Sequence, residues 1–188
     1  MKYQVTAGRL NRMLDEFFKA KGKTLEAAAK ACLRSLRGGR KILVFGNGGS
    51  AAEAQHFAAE LVNRFLKDRR AFPAIALSTD SSVLTSIGND SGFDQVFSRQ
   101  VEALGERGDI ALALSTSGRS SNIIEALKAS RKKKLVTIAL TGKGGGNMAK
   151  LADFLLDVPS SETPRIQEVH LVLLHLLAQE IEYKLFSK

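Results

Sequence analysis

The chain has 188 residues, 44% of them hydrophobic and 25% charged, the balance of a soluble globular protein and enough sequence for one domain with a substantial core. No apolar run approaches the ~18 to 20 residues that span a bilayer, and the opening MKYQVTAGRLNRML lacks the apolar stretch of a signal peptide, so a cytoplasmic location is expected. The net charge of +9 is spread over short clusters, with no Trp and two Tyr, which argues against nucleic acid as a partner and leaves an anionic substrate to explain part of it.

Residues 4–37 read as helical. Leu10, Met13, Leu14 and Phe17 follow i, i+3, i+4, i+7 spacing, and Leu25 to Leu36 is Ala/Leu-rich without Pro. Two helices are predicted, interrupted at Gly22 and stopped by Gly38-Gly39. Cys32, the single cysteine, cannot form an intramolecular disulfide and reads as a small buried hydrophobe. This segment carries no evident chemistry; its apolar face suits the domain's own sheet or another subunit.

Ile42 to Phe45 is an apolar run long enough for a buried strand, and it turns through Gly46-Asn47-Gly48-Gly49. Ser50 stands where an N-cap belongs, and an Ala-rich helix follows towards Arg64. Strand, Gly-rich turn and helix N-terminus together make an anion site, with free N–H groups and the positive dipole end above the turn. No Lys follows the last glycine at the P-loop position, and the spacing departs from GxGxxG, so nucleotide binding is not expected.

Pro73 to Leu77 is the second strand. Ile87 then leads into a polar turn, Gly88 to Gly92, in which Asn89 and Asp90 can bond sugar hydroxyls, and a helix is predicted from about Asp94 to Leu104. Ile110 to Leu114 is a third strand, running into Ser115-Thr116-Ser117-Gly118-Arg119-Ser120 and a helix over Asn122 to Lys132. The hydroxyls of Ser115, Thr116, Ser117 and Ser120 beside helix N–H groups suit a phosphate monoester better than a cap, which needs one. Leu135 to Leu140 and Phe154 to Val158 are the last strands, and a helix closes the chain from about Pro164 to Phe186. Continuous apolar strands alternating with helices predict an α/β fold, a three-layer α/β/α sandwich on a five-stranded parallel sheet. Residues 1–188 are expected to form one domain, with an N-terminal helical part over 1–40 and an α/β core over 41–188.

His56 and Glu60 lie about 40° apart around the Ala-rich helix, so both point to one side. Such pairs are common on exposed faces. Here Ala51, Ala52, Ala54, Phe57, Ala58, Ala59 and Leu61 predict a largely buried helix, in which a His and a Glu need partners. The pair also suits acid–base chemistry or a metal beside an anion site.

FGNGGS, the following H-F-A-x-E-L, S-T-S-G-x-S, LTGKGGG and R-I-Q-E-V-H-L-x-L-L-H, in that order, resemble the sugar isomerase (SIS) fold. More narrowly they resemble the phosphoheptose isomerase family, over nearly the whole chain from about Lys41. The resemblance implies zinc as cofactor, with His56, Glu60, Gln167 and His175 as ligands. It implies substrate contacts from Asn47, Gly48, Gly49, Ser50, Asn89, Asp90, Ser115, Thr116, Ser117, Ser120 and Gln167. The implied reaction is an aldose–ketose isomerisation of sedoheptulose 7-phosphate to D-glycero-D-manno-heptose 7-phosphate, the first step towards the heptose of lipopolysaccharide cores. Glu60 would move the proton between C1 and C2 through an enediol(ate), and His175 would serve the oxygen.

The family also implies a homotetramer with sites at subunit contacts. That fits one geometric point: Gln167 and His175 stand eight residues, ~12 Å, apart on a straight helix. They share an ion only if the helix start frays or different subunits contribute. His170 has no implied role and reads as structural. The same fold has an adaptor branch, similar to the protein that associates with the replication initiator DnaA. SAAEAQHFAAELVNRF, FPAIALSTDSSVLTSI and VEALGERGD are at least as close to that branch. Glu60 and His175, which the adaptors lack, favour the enzyme.

Overall fold

The computed structural model describes residues 2–186. Five strands, β1 (Ile42–Gly46), β2 (Ala74–Ala76), β3 (Ile110–Ser115), β4 (Val136–Thr141) and β5 (Phe154–Asp157), form one parallel sheet in the order β2-β1-β3-β4-β5. Because β1 and β3 are neighbours while the chain winds outward on either side of them, the topological switch point lies between their C-terminal ends. β1 and β3 are buried along their whole length, as strands covered on both faces must be.

Alternate side chains of each strand enter two cores. Ile42, Val44, Leu112, Leu114 and Leu140 pack under α1 (Lys2–Arg37), α2 (Gly49–Val62) and α6 (Thr163–Phe186). Leu43, Phe45, Ala111, Ala113 and Ala139 face α4 (Ser98–Leu104) and α5 (Ser121–Lys132) on the other side. The three-layer α/β/α sandwich is therefore as expected.

Several local expectations are corrected. α1 is one unbroken helix, ~54 Å long at 1.5 Å per residue, and passes straight through Gly22. A Gly there costs about 1 kcal/mol of helix propensity, which packing along α6 and β5 outweighs; the Lys21–Asp157 ion pair at 2.7 Å pins this stretch to the end of β5. The helix does stop at Gly38-Gly39, where Gly39 takes φ 72°.

A helix not expected from the sequence, α3 (Ser81–Asp90), follows β2 and takes in the first part of the polar turn expected over Gly88 to Gly92; it is capped by the Asp80 carboxylate accepting from the Val83 N–H at 2.9 Å. The helix expected from Asp94 is a 3-10 turn, Phe93–Gln95, followed by the shorter α4. The cap of α2 is Gly48, not Ser50; Ser50 lies inside the first turn and is buried. Cys32 is buried as expected, and burial pushes its thiol up to about 12.

Candidate active site

A cleft of about 230 Å³ opens at the switch point. The turn after β1 gives it Asn47, Gly49 and Ser50, and the loop after β3 gives Ser115, Thr116 and Ser120. Thr163 and Gln167 close it from the start of α6. Among the described residues, no charged side chain lines it. Three helix N-termini, those of α2, α5 and α6, converge on it instead, each carrying roughly half a positive charge and free N–H groups. That is a field for an anion, supplied by backbone.

The cleft is pre-built. Asn47 and Asn122 exchange two carboxamide hydrogen bonds, each of 2.9 Å, which tie the β1 turn to the start of α5. The hydroxyls of Ser115 and Ser120 lie 3.1 Å apart. Ser120 occupies the N-cap position of α5 without capping it; its hydroxyl bonds that of Ser115 and keeps its remaining hydrogen-bonding capacity for a ligand. Gly49 has no side chain because Gln167 fills that space: a Cβ there would collide with the Nε2 and lie 3.0 Å from the Cδ of Gln167.

A second group lies further along the seam between α2 and α6. The Nε2 atoms of His56 and His175 are 2.8 Å apart, and Glu60 Oε1 is 3.4 Å from the His56 Nε2. A hydrogen bond between them needs one ring to donate and the other to accept. Ligand atoms from all three residues lie within 4.8 Å of one another. Two imidazoles and a carboxylate are a donor set that borderline divalent metals take, with room for a further ligand. The residues thus fit a metal. His56 is exposed and Glu60 half-buried, with side chains 42% and 21% accessible. This corrects the expectation of burial: Ala54, Phe57, Ala58 and Leu61 turn to the sheet, while this pair faces outward and Ala52 and Ala59 are exposed.

Other expected residues are placed differently. Gly48 and Ser117 are exposed and do not line the cleft, and the Ser117 hydroxyl accepts from the Arg119 N–H at 3.2 Å. Asn89 and Asp90 are the last residues of α3, exposed, hydrogen-bonded to each other at 2.7 Å and outside the cleft lining. Gln167 lies against Gly49, and α6 is regular from Thr163, so a frayed start does not carry Gln167 to His175. His170 is fully buried and donates its Nε2–H to the Thr141 carbonyl at 3.2 Å. Burial lowers it to about 4, partly offset by that hydrogen bond. It is a neutral, structural histidine.

Sequence reasoning missed Asn122, Thr163 and Glu53. Glu53 stands on the same stripe of α2 as Gly49, His56 and Glu60. Its Oε2 is buried without a partner, and burial raises its carboxyl to about 7 against the lowering effect of the Ser50 hydroxyl. The i, i+3, i+7 spacing of Glu53, His56 and Glu60 is the signal that could have found it.

Residues 7–142 match the family model described as SIS domain. The chain is thus a SIS-family protein, and its cleft sits where open α/β sheets bind ligands. It is 53% identical over 176 residues to the phosphoheptose isomerase of Desulfovibrio desulfuricans, covering 94% of this chain and 84% of that one. Among solved structures, the phosphoheptose isomerase of Neisseria gonorrhoeae is 45% identical with a TM-score of 0.89, covering 96% of this chain and 98% of that one. That of Francisella tularensis is 39% identical with a TM-score of 0.91, covering 96% of each. The chain belongs to the phosphoheptose isomerase family, a family of sugar-phosphate isomerases. These likenesses lend the adaptor alternative no support. Among the described residues, no helix is long and apolar enough to cross a membrane.

Proposed function

We propose that this protein interconverts sedoheptulose 7-phosphate and D-glycero-D-manno-heptose 7-phosphate in the cytoplasm, as the first step of heptose supply to lipopolysaccharide. The observation that carries the reading is the pairing of an uncharged, N–H-rich cleft with a His/Glu/His group on the same two helices. The cleft suits the phosphate. Hydroxyls of Ser115, Thr116 and Ser120, the N–H of Gly49 and the Gln167 carboxamide bind it through uncharged donors, with Ser50 lining the cleft beside them, in hydrogen bonds that the phosphate charge and three helix dipoles strengthen. Asn47 orients the sugar from the same rim; Gly48 and Ser117 lie beside it.

His56, Glu60 and His175 would hold zinc, with Gln167 as the fourth expected ligand. Bound zinc would polarise the substrate oxygens during proton transfer. Glu60 takes the proton from one of C1 and C2 and returns it to the other, so that an enediol(ate) is formed and consumed. His175 gives and receives the proton on the oxygen. Each group ends in its starting protonation state.

Two observations support a homotetramer with shared sites. Gln167 and His175 are separated by ~12 Å of regular helix, and Asn89 and Asp90 lie outside their own chain's cleft. Both are reconciled if neighbouring subunits complete one another's sites. Packing of α1 on α6 and β5 supports residues 1–188 as a single SIS domain.

The test is direct: incubate the protein with sedoheptulose 7-phosphate and zinc and follow aldose formation by NMR. Wild type turns over, while Glu60→Gln and His175→Gln fall by a factor of roughly 100 or more. No turnover by a folded, metal-loaded wild type refutes the reading.

A further inference from the structure

Below the His/Glu/His group, Arg69 and Glu182 form an ion pair sealed from water, 3.0 Å from Nε to Oε2 with side chains 1% and 3% exposed. Dry charge pairs are costly to assemble unless every donor and acceptor is used. Here the two partners spend their bonds on one target, the chain leaving α2. Glu182 accepts from the backbone N–H groups of Phe65, Leu66 and Lys67 at 3.0, 2.9 and 2.7 Å. Arg69 donates to the carbonyls of Glu60 and Leu61 at 2.6 and 2.8 Å, groups that the end of a helix leaves open.

Both ends of this clamp reach the proposed reaction centre. Arg69 holds the backbone of Glu60 itself. Glu182 fixes Phe65, whose ring lies 5.6 Å from that of His175 at an interplanar angle of 34°. Glu182 is also seven residues, two turns, beyond His175 on the same side of α6. α2 brings His56 and Glu60, α6 brings His175, and the ion pair ties the two helices together beneath the His56–His175 contact.

We propose that Arg69 and Glu182 are positioning residues, which set the separation and ring orientation of His56, Glu60 and His175 through the Glu60 carbonyl and the Phe65 ring. The inference rests on the isomerase and metal reading above. A clamp that only stabilised the loop would lower the melting temperature and leave the group's chemistry intact.

The test uses full-length Arg69→Lys, Glu182→Gln and Phe65→Leu, the last of which leaves the ion pair whole. Chelator-treated samples are titrated with Co²⁺ by its visible absorption. Long-range ¹H–¹⁵N imidazole spectra are taken of the same metal-free samples, and kcat and KM are measured after reloading. Contacts that orient metal ligands are typically worth roughly 10- to 100-fold in affinity or activity. Glu182→Gln and Arg69→Lys are expected to lose roughly tenfold or more in Co²⁺ affinity and in kcat, with KM held within about twofold because neither residue lines the cleft. The imidazole signals of His56 and His175 shift from their wild-type positions in all three variants.

Folded Glu182→Gln and Phe65→Leu with wild-type Co²⁺ affinity, imidazole spectra and kcat overturn the proposal. If Glu182→Gln does not fold, Phe65→Leu decides it in the same way. A wild type that takes up no Co²⁺ defeats the metal reading alone, and the imidazole spectra of the variants still decide the clamp.

Discussion

Gly49→Ala separates the architecture of the cleft from its chemistry. The new Cβ would strike the Gln167 carboxamide and no backbone atom, since the three nearest atoms all belong to that side chain. A flexible side chain can swing away, and Ala gains up to about 1 kcal/mol over Gly in a helix. The net stability change is therefore small, within about 3 °C of the wild-type melting temperature at this chain length. The functional change is not small. A hydrogen bond to a charged ligand is worth about 1.5–3 kcal/mol, so displacing Gln167 from a bound phosphate lowers kcat/KM by roughly ten- to a hundredfold.

The assay is aldose formation by NMR beside thermal denaturation, with Gln167→Ala and the double variant completing a cycle. Once Gln167 is truncated, adding Gly49→Ala is expected to change kcat/KM by no more than about twofold. A folded Gly49→Ala enzyme with wild-type kcat/KM would refute the role of Gln167. A fall in melting temperature of more than about 6 °C would show that the backbone, not the side chain, absorbs the clash.

Other outcomes follow from buried groups and tight turns. Gly118→Ala is expected to cost more than about 3 kcal/mol, read by denaturant unfolding, because Gly118 has φ 62° and its Cβ would run into the backbone of Gly145. His170 is held neutral, with its pKa lowered from 6.5 to about 4. Its contribution is present above pH 6.5 and lost as pH falls through 4, up to about 3 kcal/mol; His170→Gln removes that slope from pH-dependent unfolding. Glu53 has the opposite sign, raised from 4.5 to about 7. Its contribution is present below pH 4.5 and lost as pH rises through 7, so Glu53→Gln gains stability over wild type at pH 8 and little at pH 4. The effect is smaller than that of His170 because the side chain is only half-buried.

The strands were legible because each is an unbroken apolar run, and sequence alone bounded all five to within a residue or two. α3 was not. Its apolar Val83, Leu84 and Ile87 are only half-buried and none of its residues is fully buried, so packing left little periodicity among its Ser, Thr, Gly and Asn. Gly22 misled in the other direction: helix propensity was read locally, while a long packed helix absorbs one glycine. At the site, GNGGS, the Ser/Thr loop and the His56–Glu60 spacing are local patterns and could be read directly. The meeting of His56 with His175, 119 residues away, is a tertiary fact that only the family resemblance supplied. The Arg69–Glu182 clamp had no local pattern at all, since its ligands are backbone groups.

The loops after β3 and β4 touch backbone to backbone, Gly118 against Gly145 and Gly146 against Ser117 and Gly118. The hydroxyl-bearing loop is thus moulded by a stretch that carries no cleft side chain of its own. Diversification of substrate preference on this scaffold must treat the two as one heritable module: a library that randomises Ser115 to Ser120 over a fixed Gly144-Gly145-Gly146 samples one loop shape, whereas exchanging both segments together changes the mould itself.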